Sequence, residues 1–161
     1  MQLYEILLWV LYAVIVAGLG WFLFKQVQKY RAMGDATPAP PSLAHQKPLR
    51  VIKGKTGLQS DILQEGTGEG AKNLDELTVH YIAKLPNGEQ VDSSYQRGYP
   101  ITFKLGTGKV IIGWDQALKG AKVGERRVVT CPSAMAYGSK GKNLVPKNSD
   151  IIFEIEVIDI Q

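Results

Sequence analysis

LTVHYIAKLPNGEQVDSS, residues 77–94, alternates and then turns. Leu77, Val79, Tyr81 and Ala83 fall on one face of an extended segment and Thr78, His80 and Lys84 mostly on the other, which is the two-residue period of a half-buried strand. Pro86-Asn87-Gly88-Glu89 follows, and an Asn-Gly pair accepts the positive φ that a tight hairpin needs. EQVDSS then returns beside the first strand. Further strands read at ITFKL (101–105), ERRVVTC (125–131) and DIIFEIEVIDI (150–160), the last alternating through Ile152, Glu154, Glu156 and Ile158.

A single helix interrupts them, in GKVIIGWDQALKGAKVGE (108–125). Ile111, Trp114, Leu118 and Ala121 recur at spacings of three and four, so they share a face, while Asp115, Lys119 and Lys122 point to water. Gly120 and Gly124 end the helix and turn the chain. The expected fold is α+β: a strongly bent antiparallel sheet wrapped on one short helix, over residues 58–161.

Upstream the composition changes. Ile6 to Phe24 runs for 19 residues without a charge. As a helix it would be roughly 28 Å long, near the hydrocarbon thickness of a bilayer. Trp9, Tyr12 and Trp21 suit its interfaces. A cleaved signal peptide calls for a basic start and a small-x-small site, whereas this stretch follows Glu5 and runs on into WFLFKQVQKYR. We therefore read residues 1–31 as a single transmembrane helix with a basic flank. Lys25, Lys29 and Arg31 follow the span and no Lys or Arg precedes it, so the positive-inside rule puts the C-terminal domain in the cytoplasm.

Residues 32–57 form a spacer, with prolines at 38, 40, 41 and 48 among small and polar neighbours. The net charge of +4 divides unevenly. Residues 1–57 hold seven Lys/Arg against Glu5 and Asp35, whereas residues 58–161 hold twelve against thirteen Asp/Glu. A juxtamembrane basic excess fits anionic lipid headgroups, or simply the fixing of topology, better than nucleic acid. Cys131 is the only cysteine, so no intrachain disulfide forms.

Taken together and in order, VHY (79–81), VDSSYQRGYPITFKLGTGKVIIGW (91–114), VGERR (123–127), AYG (136–138) and IIFEIEVI (151–158) resemble the FKBP family of peptidyl-prolyl cis-trans isomerases over essentially all of residues 58–161. The resemblance implies an FKBP-like half-barrel, turnover of X-Pro bonds in polypeptides, no cofactor and no metal. Residue by residue it implies Trp114 as the floor under the proline ring, with Tyr81, Val110, Ile111 and Phe153 as walls. It implies Tyr137 and the backbone N–H of Ile111 as donors to substrate carbonyls, and Asp92 as a rim carboxylate paired with Arg97. Read alone, each of these has an ordinary structural explanation: aromatics at such spacing are usually core, and an Asp in VDSS can cap a turn.

The chain also departs from the family pattern. Val91 and Ile101 stand where phenylalanine is common, and Lys142 stands where histidine is common, in a loop (138–149) one residue short. The expected consequences are lower turnover and weaker binding of macrolide inhibitors.

Other chemistry finds little support. Cys131 and His80 sit on separate strands without a third group. The two histidines are isolated, which is no metal spacing. GTGEG (66–70) and GTGKVIIG (106–113) read as turns rather than phosphate loops. Three functions fit the resemblance: a membrane-anchored isomerase, a low-turnover proline-peptide binder of the same fold, and a scaffold whose basic linker does the binding.

Overall fold

The computed structural model describes Leu43 and residues 46–161. The expected membrane span, its flank and most of the spacer lie outside these residues. Seven strands make one sheet, β1 (Arg50–Lys53), β2 (Gln59–Gln64), β3 (Glu76–Lys84), β4 (Gln90–Ser93), β5 (Ile101–Lys104), β6 (Arg126–Cys131) and β7 (Ile151–Ile160). Helix α1 (Ser94–Arg97) lies between β4 and β5, α2 (Ile112–Ala117) between β5 and β6, and a 3-10 turn covers Ser133–Met135. Every pairing is antiparallel, in the order β1-β2-β6-β7-β3-β4, with β5 also on β3. One edge of β3 therefore serves two partners in turn, β5 along residues 76–79 and β4 along residues 82–84.

Alternation sets the inner face. Val79, Tyr81 and Ala83 lie opposite Val157, Ile155 and Phe153 of β7, and Val129 lies opposite Phe153 from the other side. Trp114, Ala117, Leu118 and Ala121 close over them as one buried cluster. Gly113 permits the close approach, because a Cβ there would overlap the Cys131 sulfur.

The centre of this interface is charged. Arg127 and Glu125 are almost wholly buried and ion-paired. The Arg127 Nε donates to Glu125 Oε1 at 2.5 Å and its NH1 donates to the Ala117 carbonyl at the end of α2. The other Glu125 oxygen accepts the Lys122 N–H at 3.3 Å. A cation on the last carbonyls of a helix satisfies acceptors that lack intrahelical partners.

Several expectations need correction. Arg50–Lys53, assigned above to the spacer, is an edge strand paired with β2. All four of its residues are exposed, so no burial period marks it in sequence. Leu43, also in that spacer, is buried and donates its N–H to Glu154 Oε2 at 2.8 Å. Finally, α2 is not the only helix: α1 follows β4, capped by Ser93 Oγ, which accepts the Gln96 N–H at 3.3 Å. This helix covers His80, which is buried rather than solvated. Its ring stacks on Tyr95 at 4.3 Å, and Nδ1 lies 2.9 Å from Ser94 Oγ.

Removing one member of a buried ion pair strands the other in a medium that solvates it poorly. Arg127→Met should destabilise the fold by about 3–5 kcal/mol, read from urea unfolding. A loss below about 1 kcal/mol would show that Arg127 does not hold α2 in place.

Candidate active site

A cavity of about 700 Å³ opens between β3, β4, β5, β7 and α2. It gathers all ten residues singled out from the sequence: Tyr81, Val91, Asp92, Arg97, Ile101, Val110, Ile111, Trp114, Tyr137 and Phe153. Also on its lining are Ala83, Lys109, Lys142, Asn143, Leu144, Val145 and Ile151.

Trp114 is 3% exposed, so it is core and cavity floor at once. Tyr81 and Phe153 meet it edge-on, each with ring centroids 5.2 Å away, and Phe103 lies tilted at 5.7 Å. Edge-to-face contacts of this kind leave a large, rigid aromatic surface at low entropic cost. The indole Nε1 is buried and has no acceptor among the described residues.

Two other donors lie free. Neither the Tyr137 hydroxyl nor the Ile111 N–H has a hydrogen-bond acceptor among the described residues. Ile111 is the N-cap of α2, where its carbonyl accepts from Trp114 and Asp115 while its N–H precedes the helix. The loop before it is pinned by Asp115, whose carboxylate accepts from the Gly106 and Gly108 amides at 2.8 and 3.1 Å. Asp115 was expected to face water; it tethers GTG instead. Tyr137 follows the 3-10 turn, and the ring carries the Lys142 ammonium 5.6 Å from its centroid. Burial first, then the Asp92 charge, raise the Tyr137 pKa, which keeps the hydroxyl a donor.

Asp92 is fully engaged. It accepts from the Tyr81 hydroxyl at 2.5 Å, from its neighbour Ser93 N–H at 2.8 Å and from Arg97. The Arg97 NH2 also donates to the Tyr81 oxygen at 2.9 Å, and the guanidinium lies 5.3 Å from that ring's centroid. The three side chains close a triangle at the mouth. Burial, then the hydrogen bond to Asp92, pushes the Tyr81 phenol up to about 12.

Sequence reasoning missed Asn143, Leu144 and Val145 because they sit on an irregular loop with no periodicity. The loop is held by a bridge between Lys142 and Val145 and by Gly141, where φ is 68° and a Cβ would strike the Val145 carbonyl. Ala83 and Ile151 were readable in principle, since each shares a strand face with a residue already chosen. Among the described residues no group of three His, Cys, Asp or Glu could hold a metal ion.

This geometry, a dry aromatic floor beneath unengaged donors, accompanies a clear family match. The model for the FKBP-type peptidyl-prolyl cis-trans isomerases matches residues 68–158. The chain is 44% identical over 105 residues to the FK506-binding protein of Neisseria meningitidis serogroup B, covering 65% of this chain and 96% of that protein. It is 42% identical over 107 residues to FK506-binding protein 1A of Neurospora crassa, covering 65% and 89%. FK506-binding protein 4 of the same fungus is 40% identical over 136 residues, 84% of this chain but only 29% of that longer protein. The crystal structure of AtFKBP13 superposes with a TM-score of 0.65 at 34% identity, covering 70% of this chain and 99% of the other. The chain belongs to the FKBP-type peptidyl-prolyl cis-trans isomerase family.

The titrating groups bound a pH window. Burial holds His80 neutral below its ordinary 6.5, so the unfolded chain takes up that proton first, and stability falls as pH drops through 6.5. Tyr81 keeps its proton past the ordinary 10.0, so the unfolded chain loses it first, and stability falls as pH rises from 10.0 toward about 12. Urea midpoints should show a plateau from about pH 6.5 to about pH 9, above which the buried Cys131 thiol, held protonated past its ordinary 9.0 to about 11, joins Tyr81 in favouring the unfolded chain. His80→Gln should flatten the acid side. A midpoint constant from about pH 5 to about pH 11 would contradict both assignments.

Proposed function

We propose that this protein is a peptidyl-prolyl cis-trans isomerase that acts on X-Pro bonds of polypeptide segments. Residues 6–24 tether it to a membrane, its domain is cytoplasmic and it needs no cofactor. The observation that carries the reading is the pair of unengaged donors, Tyr137 hydroxyl and Ile111 N–H, on a cavity floored by Trp114.

Rotation about the X-Pro bond is opposed by amide resonance, a barrier of about 18–20 kcal/mol, and takes tens to hundreds of seconds unaided. The planar amide is the more charge-separated form. Walls of Val91, Ile101, Val110, Trp114 and Phe153 exclude the water that would favour it. Trp114 supports the pyrrolidine ring, and the two donors grip backbone carbonyls so that one side of the bond stays fixed while the other turns. The Tyr81–Asp92–Arg97 triangle keeps the mouth in shape. The same apolar cavity supports macrolide binding, by analogy with relatives named FK506-binding proteins.

A second reading, peptide binding with little turnover, is favoured by Val91 and Ile101, which line the cavity without aromatic rings.

Exchange NMR on a short X-Pro peptide, with the full chain in nonionic detergent, tests the first reading. Clear acceleration is expected, with kcat/KM lowered roughly three- to tenfold in Tyr137→Phe, the scale of one neutral hydrogen bond. A folded protein that leaves the exchange rate unchanged would leave only peptide binding. For topology, protease added to intact spheroplasts should spare the domain; digestion from outside would overturn the cytoplasmic placement.

A further inference from the structure

The cavity mouth has more positive charge than its own contacts use. Among the described residues Asp92 is the only carboxylate on the lining, and it is already committed to Tyr81, Ser93 and Arg97. Lys109 and Lys142 line the same cavity, both exposed, and neither enters an ion pair among the described residues. They come from different loops, each anchored. Lys109 follows the GTG turn that Asp115 holds, and Lys142 is fixed by reciprocal backbone bonds with Val145 of 3.0 and 2.8 Å.

Exposed lysines are commonly no more than solubilising. Here their placement runs against the domain's balance, since residues 58–161 carry twelve Lys/Arg and thirteen Asp/Glu. One of the two also stands over the ring of Tyr137, whose hydroxyl is a free donor. Whatever chain lies across that donor passes within reach of the Lys142 ammonium.

We infer that the pocket selects proline segments that carry a carboxylate side chain, Asp or Glu, within a residue or two of the proline. The inference rests on the function proposed above and names its substrate class. Lys109 and Lys142 are the specificity residues, and the carboxylate supplies the partner that the mouth lacks. Exposed ion pairs are modest and screened by salt, so the preference is graded rather than absolute.

The test uses the full chain in nonionic detergent, which adds no charge. Two peptide sets vary the residue before proline and the residue after it, as Glu, Gln or Lys. By exchange NMR at low salt, kcat/KM for the Glu peptide of at least one set should exceed that of its Gln counterpart by roughly three- to fivefold, with Lys lowest. The ratio should approach one in high salt and in the Lys109→Gln, Lys142→Gln double variant. Equal rates for Glu and Gln in both sets would overturn the inference while leaving the isomerase reading intact. If no peptide turns over, the isomerase reading fails, and calorimetric titration of the same peptides decides charge selection separately. Tighter binding of Glu peptides supports it, and equal affinities for Glu and Gln overturn it.

Discussion

Arg127 carries its charge into the interior of the sheet, and the placement of the cavity floor follows from where that charge is met. A helix of six residues is too short to hold itself in water, and α2 has no side-chain cap at its N-terminus. Its last carbonyls need a partner, and Arg127 reaches up from β6 to supply one at Ala117. Glu125 neutralises the guanidinium and ties in the turn at Lys122. Helix end, turn and strand are thereby locked together by one buried pair. An apolar residue at 127 could fill the volume but would leave that carbonyl without a donor.

The cavity shows a complementary arrangement at its open side. Polar groups needed for shape are saturated against one another, as in the Tyr81–Asp92–Arg97 triangle, whereas the groups free to meet a ligand are few: the neutral Tyr137 hydroxyl and Ile111 N–H, and the two lysines of the mouth, Lys109 and Lys142. A carboxylate left unengaged beside an apolar floor would draw in water. Binding it to a phenol, a guanidinium and an amide fixes the half-exposed carboxylate at the mouth without removing the charge.

How much of this is written in the chain depends on the kind of physical signal. Most strands that face the core on one side announce themselves by period, and the β3–β4 hairpin by its Asn-Gly pair. Strand β2 does not, because its inner face is marked by one large apolar residue, Ile62, beside the small polar Ser60. Ten separated residues converge on one cavity because an ordered series of motifs carries more than any residue does alone. Signals fail where burial is not periodic. Strand β1 is exposed throughout and is defined only by its hydrogen bonds to β2. His80 occupies the outward register, yet a four-residue helix covers it, and nothing within β3 could reveal that cover. Asp115 looks solvated on a helical wheel because a wheel omits the loop that bends back onto it. The cavity rim at residues 142–145 is set by left-handed backbone at Gly141 and Asn143 and by a local bridge, with no repeat to read.

The contact between Gly113 and Cys131 has a bearing on redox chemistry. The thiol is fully buried under α2, and desolvation pushes its pKa up to about 11. Oxidation and disulfide exchange proceed through an accessible thiolate, and this sulfur is neither accessible nor ionised at neutral pH. With no other cysteine in the chain, the folded domain has no thiol with which to cross-link. Thiol oxidation and disulfide exchange of the folded domain are therefore slow in glutathione-rich and oxidant-rich surroundings alike.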